Sequence, residues 1–267
     1  MKKNHPRKHP NGWKTALALT FACCGISAGA ALAAKDWQPL YEPLEGAGIP
    51  CRLMKPIHFD KAQKYPVILS LHGGGGKGSD NRKQLKNWNQ QLAEVQRRKD
   101  FPCYVVAPQA PGLWNAEHLE KIQALIKVLP SVDMDRVYIL GHSMGGHGSY
   151  IFIQLDPDYF AAAAPSAGSG LKSTEGFITA AKIKDVPIWA FHGNQDGVCP
   201  IDKDLELFDE LKKLGGNMKL TTWAGGKHGV SDLFIPGDTS GTTQCSGERC
   251  DQEPDFMTWL FKQKRRD

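Results

Sequence analysis

Six short runs along this chain are apolar or β-branched and end in glycine or polar residues: 65–73 (YPVILSLHG), 103–109 (CYVVAPQ), 136–143 (RVYILGHS), 159–168 (YFAAAAPSAG), 186–193 (VPIWAFHG) and 218–228 (MKLTTWAGGKH). Between several of them the apolar positions fall at helical spacing, in 87–98 (NWNQQLAEVQRR), 118–130 (HLEKIQALIKVLP), 145–155 (GGHGSYIFIQL) and 202–215 (DKDLELFDELKKLG). Such alternation predicts βαβ units, hence an α/β fold with a mostly parallel sheet covered by helices on both faces. Residues 34–267 show no internal repeat, low-complexity tract or second domain. In an open α/β sheet chemistry gathers at the carboxyl ends of the strands, so those ends are where reactive side chains are sought.

The first 33 residues follow a different pattern. Lys2, Lys3, Arg7, Lys8 and Lys14 precede an apolar stretch of small residues (TALALTFACCGISAGAALAA), and Ala31-Leu32-Ala33 forms an A-x-A cleavage site. This predicts a secretory signal peptide over 1–33 and an exported catalytic domain over 34–267, secreted or periplasmic. A retained membrane anchor is the competing reading, but the stretch is weakly apolar for a span. Cys23 and Cys24 follow Thr-Phe-Ala rather than a Leu-containing box, which disfavours a lipoprotein.

Composition then changes little. The 267 residues are 41% hydrophobic and 23% charged, ordinary for one large globular domain. The formal charge of +5 belongs to the leader, because beyond residue 33 there remain 28 basic and 28 acidic residues. A near-neutral mature chain gives no reason to expect nucleic acid or an anionic membrane surface as partner. Cys51, Cys103, Cys199, Cys245 and Cys250 remain, an odd number without metal-ligand spacing. Cys245 and Cys250 lie in a Gly/Thr-rich loop at a spacing that admits a short disulfide.

The strongest chemical signal is Gly141-His142-Ser143-Met144-Gly145, directly after a predicted strand and before a predicted helix. G-x-S-x-G in that context forms a strained strand-turn-helix elbow that lifts the serine hydroxyl above the sheet. A bare pentapeptide of this kind also occurs in ordinary strand-to-helix loops; its placement favours catalysis. A serine hydroxyl needs a base, and the base an orienting carboxylate. In this fold the chain order is Ser, Asp or Glu, then His. Asp196 lies on the loop after the run 186–193, and His228 at the end of 218–228.

Other candidates are weaker by position. His142 and His147 flank the serine but point away from it in such an elbow, and His192 is expected to hold its loop through backbone hydrogen bonds. His58 and His118 read as surface residues. Asp202 and Asp204 open a helix, where capping and the macrodipole explain them; Asp232 is the rival acid to Asp196. The glycine run after the first strand (LHGGGGKGSDN) lets backbone N–H groups approach a substrate oxygen, so Gly74 and Met144 are the predicted oxyanion donors, with His72 bracing the loop. A phosphate loop is excluded, because Lys77 is followed by Gly78. Trp114 and Trp223 are candidate pocket-lining residues, with core packing as the alternative.

The segments YPVILSLHGGGGKGSDN, VVAPQ, RVYILGHSMGGHGSY, FAAAAPSAG, PIWAFHGNQDGVCP, WAGGKH and FMTWLFKQKR together resemble the α/β-hydrolase superfamily. The similarity runs from about Ile49 to Arg265 and points to the secreted esterase branch, with phospholipase/carboxylesterase-like, feruloyl-esterase-like and "predicted peptidase" chains. It implies a triad of Ser143, Asp196 and His228, oxyanion donors at Gly74 and Met144, and no metal or organic cofactor. The implied activity is hydrolysis of short acyl or aryl esters, small or polysaccharide-borne, by a serine carboxylesterase. The alternatives are a prolyl-oligopeptidase-like serine peptidase, for which no propeller is seen in this sequence, and a non-catalytic binding protein of the same fold.

Two features bear on the substrate. The polar stretch 229–254 after His228 is longer than the superfamily pattern and is expected to form part of the substrate wall. Between the runs 159–168 and 186–193 there is room only for a loop and a short helix, so no cap domain is expected over Ser143.

Overall fold

The computed structural model describes residues 36–44, 48–168 and 178–265. The signal peptide expected over 1–33 lies outside them. Among the described residues no helix is long and apolar enough to cross a membrane.

Among the described residues nine strands form one sheet: β1 (Tyr41–Leu44), β2 (Cys51–Met54), β3 (Tyr65–Leu71), β4 (Tyr104–Pro108), β5 (Val132–His142), β6 (Ala162–Ser166), β7 (Ile188–Gly193), β8 (Met218–Trp223) and β9 (Thr242–Cys245). Their spatial order is β1-β2-β4-β3-β5-β6-β7-β8-β9. The six strands from β3 to β8 run parallel, and they are the six runs predicted from the apolar pattern. At one edge β2 pairs antiparallel with β4 and β1 with β2; at the other, β9 pairs antiparallel with β8. These three edge strands were not predicted.

Alternation along the central strands divides the core between two faces. Val67, Leu69, Val137 and Ile139 pack on one side with residues of α3 (Ala116–Val128), α4 (Met144–Leu155) and α6 (Asp202–Lys213). Ile68, Tyr138 and Leu140 pack on the other with Trp88 and Leu92 of α1 (Asn87–Leu92) and with Phe256, Trp259 and Leu260 of α7 (Phe256–Lys262). A strand buried on both faces needs apolar residues at consecutive positions, which is why these strands read as continuous runs. The helix expected over 87–98 is two: α1 stops at Leu92, and α2 (Val95–Asp100) begins after a break at Ala93–Glu94. Between β6 and β7 the described residues hold only α5 (Ala180–Ile183).

Cys51, Cys103, Cys199, Cys245 and Cys250 are free thiols, so Cys245 and Cys250 are not joined in this structure. The stretch after His228 divides its roles. Gly229, Ser231 and Asp232 reach the cleft that holds Ser143, whereas Gly237–Pro254 forms β9 and the wall of a separate aromatic pocket beside β7 and β8.

Candidate active site

Ser143 sits between the end of β5 and the first residue of α4, with φ 57° and ψ −121°. A non-glycine residue holds such angles only where the surroundings enforce them. The enforcement is steric. A Cβ on Gly141 would strike the Gly145 carbonyl, and a Cβ on Gly145 would strike the Leu71 carbonyl of β3. Only hydrogen fits at both positions, so strand, turn and helix close tightly around the serine.

The glycine loop after β3 stands against this elbow. A Cβ placed on Gly73 would lie 3.4 Å from the Ser143 Cβ, while one on Gly74 would meet nothing within 4 Å. Gly74 opens a short 3-10 turn, Gly74–Gly76, and lines the same cleft as Ser143. Met144 is the first residue of α4, where backbone N–H groups have no acceptor within the helix. His72 fastens the loop: its Nε2 accepts from the Ala110 N–H at 3.0 Å, so Nδ1 carries the proton and donates to the Gly73 carbonyl at 2.8 Å. Burial holds this imidazole neutral, lowering its pKa to about 4.

Asp196 follows β7, and its Oδ1 accepts from the N–H groups of Val198 (2.8 Å) and Cys199 (2.9 Å). His228, on the loop after β8, donates from Nδ1 to Asp196 Oδ2 at 2.8 Å. Burial opposes the Asp196 charge. The hydrogen bonds from His228, Cys199 and Val198 outweigh it and hold the carboxyl below its usual pKa. The His228 side chain remains 25% exposed and lines the Ser143 cleft, a cavity of about 400 Å³. The fold thus brings Ser143, Asp196, His228, Gly74 and Met144 together at the carboxyl edge of the sheet.

Several residues stand elsewhere than expected. Trp114 is buried against Gly148 with its Nε1 on the His72 carbonyl at 3.3 Å, a packing role outside the cleft. Trp223 is buried too, and it lines the separate aromatic pocket while donating to Asp238 Oδ1 at 2.9 Å. The indole in the cleft wall is that of Trp88, anchored through Nε1 to Ser70 Oγ at 2.8 Å. His142 does not point away: its ring centroid lies 4.7 Å from that of His228, and burial followed by the His228 charge lowers its pKa to about 3. Asp232 lines the cleft but accepts from Asn87 Nδ2 at 2.9 Å, while the acid on His228 is Asp196.

Three buried groups escaped the sequence reading. The Cys199 thiol is buried on the loop that holds Asp196, and burial pushes its pKa up to about 11. Asp204, expected only to favour a helix start, is 1% exposed and accepts from Tyr150 Oη at 2.9 Å. His192 does bond its loop backbone, through the Cys199 carbonyl at 2.8 Å, and also meets Asp204 Oδ2 at 2.5 Å. No local pattern signals these contacts, because their partners lie on β7, α4 and α6.

A parallel sheet of this order, with a strained serine between β5 and α4 and an Asp–His pair on the next strand-end loops, defines an α/β-hydrolase, and the comparisons agree. Residues 109–233 match the dienelactone hydrolase family. A solved thermostable esterase superposes with a TM-score of 0.68 at 29% identity, over 85% of this chain and 63% of that one. The bifunctional acetylxylan esterase/xylanase XynS20E of Neocallimastix patriciarum is 26% identical over 168 residues, 59% of this chain and 23% of the relative. Acylaminoacyl peptidase of Pyrococcus horikoshii shares the fold, with a TM-score of 0.56 at 19% identity over 75% of this chain and 39% of that one. The chain has the α/β-hydrolase fold and is similar to esterases that share it. It spans less than two thirds of each of these three proteins.

Proposed function

We propose that this protein is an exported serine carboxylesterase that hydrolyses short acyl or aryl esters, free or borne on a polysaccharide. The observation that carries the reading is the convergence of a strained Ser143 and the Asp196-held His228 in one cleft beside the Gly73–Gly75 loop. With an ester bound, His228 Nε2 takes the proton as Ser143 Oγ attacks the carbonyl carbon. The oxyanion rests on the N–H groups of Gly74 and Met144, and Asp196 holds the imidazolium. His228 then protonates the leaving alkoxide, and the alcohol departs. Water adds to the acyl-enzyme by the same route and releases the carboxylic acid.

Export is supported by the sequence of residues 1–33. The esterase likenesses favour an ester over an amide substrate; the shared fold of the acylaminoacyl peptidase keeps a peptidase as the second reading. The test is a panel of acetyl, feruloyl and aliphatic esters alongside blocked peptides, run with the wild type and Ser143→Ala. Ester turnover that falls at least about a thousand-fold in the variant is expected. Cleavage of the peptides alone would favour the second reading, and a variant keeping a tenth of the activity would remove Ser143 from its role.

A further inference from the structure

Behind the Asp196–His228 pair lies a second histidine–aspartate pair with no access to substrate. The His192 side chain is 0% exposed and that of Asp204 is 1% exposed. Both ring nitrogens of His192 face acceptors. Nδ1 is 2.5 Å from Asp204 Oδ2, and Nε2 is 2.8 Å from the Cys199 carbonyl and 3.4 Å from Asp196 Oδ2. A carbonyl oxygen only accepts, so Nε2 carries a hydrogen. A bare Nδ1 lone pair would then oppose the Asp204 carboxylate, so Nδ1 carries one as well.

We propose that His192 is a positioning residue for Asp196: held as an imidazolium between the Asp204 carboxylate and the Asp196 loop, it fixes that loop and sets the pH at which His228 becomes a competent base. The positional part follows from the Cys199 carbonyl. The residue that donates its N–H to Asp196 Oδ1 is itself tied by its C=O to His192, so the ring and the carboxylate hold one loop from two sides. The electrostatic part follows from order in space. The cation is nearer to Asp196 than its own counter-ion Asp204 is, so it offsets part of the negative charge that Asp196 presents to His228. Burial is the largest single influence and would by itself push the His192 proton off; the bond to Asp204 and its charge, with the Cys199 carbonyl and the Asp196 charge, together outweigh it and raise the pKa. An imidazolium buried without its carboxylate would not persist.

Among the described residues, the titratable groups facing His192 are Asp204 from α6, Tyr150 from α4, Asp196 and Cys199 from its own loop, and His142 from the end of β5. Those facing His228 are Asp196, His142, and Lys86 and Asp232 in the cleft wall. His142 is neutral across the working range because burial lowers its pKa to about 3. Of the groups around His192, only Asp204 can change its charge state by an isosteric substitution without touching the triad.

The inference rests on the esterase reading only for its kinetic consequence. Asp204→Asn is the decisive variant: the amide still accepts from Tyr150 and donates to Nδ1, so His192 keeps its position but becomes neutral. With the cation gone, protonated His228 is less disfavoured and its titration moves up. The expected shift of the acid limb is on the order of half a pH unit or more, so activity falls about twofold at the wild-type acid midpoint and about threefold well below it. The same upward shift is expected in the His228 ring resonances by NMR titration, which needs no turnover. In the wild type, ¹⁵N spectra at pH 7–8 should show both His192 nitrogens protonated. A neutral His192 there, or a His228 titration unchanged in a folded Asp204→Asn, would overturn the proposal. If that variant does not fold, the wild-type ¹⁵N spectrum decides. An inactive wild type with an imidazolium at residue 192 would sink the esterase reading and leave the charge assignment standing.

Discussion

Ser143 keeps angles that an L-residue adopts at a cost of about 1–3 kcal/mol, and it keeps them because Gly141, Gly145 and the Leu71 carbonyl leave the turn no other course. The acid assignment is testable at the same scale. Asp196→Asn is expected to fold and to lose most ester turnover, because an amide does not stabilise the imidazolium that His228 becomes. Asp232→Asn, which alters a rim contact to Asn87, is expected to be much milder. The reverse order of severity would transfer the acid role to Asp232. Buried histidines give a pH prediction whose sign follows from linkage. Burial lowers the pKa of His72 and His147 to about 4, below the value of about 6.5 for an unfolded chain. Between those values the unfolded state binds more protons, so their contribution is full above about pH 6.5 and declines as pH falls toward about 4. At pH 5 the loss is on the order of 2 kcal/mol for each. Urea denaturation of wild type and His147→Gln at pH 7 and pH 5 checks this. The variant should lose less stability between the two pH values, and an equal loss would refute a neutral buried His147.

At the scale of elements, two glycines of this site make opposite predictions. A Cβ on Gly145 would overlap β3 backbone that has no room to withdraw, so Gly145→Ala is expected to cost about 3 kcal/mol or to prevent folding. A Cβ on Gly74 meets nothing within 4 Å, so Gly74→Ala is expected to stay within about 0.5 kcal/mol of wild type. Denaturation midpoints of the two variants measure this directly, and equal destabilisation would contradict the elbow geometry. Helix α1 shows how one element serves both core and cleft: Trp88 and Leu92 enter the sheet face, while Asn87 Nδ2 and Gln91 Nε2 each donate, at 2.9 Å, to the Asp232 carboxylate and carbonyl respectively. These bonds join α1 to the segment just after His228, so one wall of the cleft is built from two distant parts of the chain.

For the whole molecule, the described residues between β6 and β7 contribute one short helix, and the cleft wall sets the polar side chains of Lys86, Asn87, Ser231 and Asp232 beside the Trp88 indole. Acetate and butyrate esters are therefore expected to be hydrolysed faster than esters of ~C12 or longer, with no jump in rate when substrate forms an interface. Preference for emulsified long-chain triglyceride would reverse this. Export is expected to leave a chain that begins near Ala34, and amino-terminal sequencing of secreted material that starts at Met1 would overturn the signal-peptide reading.

The sequence by itself determined the parallel centre of the sheet and the order of its reactive residues. β3 to β8 are buried on both faces and must be written as apolar runs, and the serine elbow must be written with glycines, so both are visible without any tertiary contact. That Asp196 and His228 meet was legible for a related reason: each follows a strand run, and the loops after adjacent parallel strands lie side by side. Tertiary structure decided what depends on partners distant in the chain. β1, β2 and β9 are short, and seven of the eight positions of β1 and β9 combined are exposed or half-exposed, so they became strands only by pairing with neighbours already in place. Trp88, for which the sequence offered no signal, lines the cleft while Trp114 packs in the core, because an indole goes where a cavity of its shape and an acceptor for its N–H coincide. Asp204 and His192 read singly as a helix-start acid and a loop-bracing histidine. Only when α6 docks beneath β7 does a buried carboxylate meet a buried imidazole, and the low dielectric that makes either group alone so costly is what makes the pair a fixed charge.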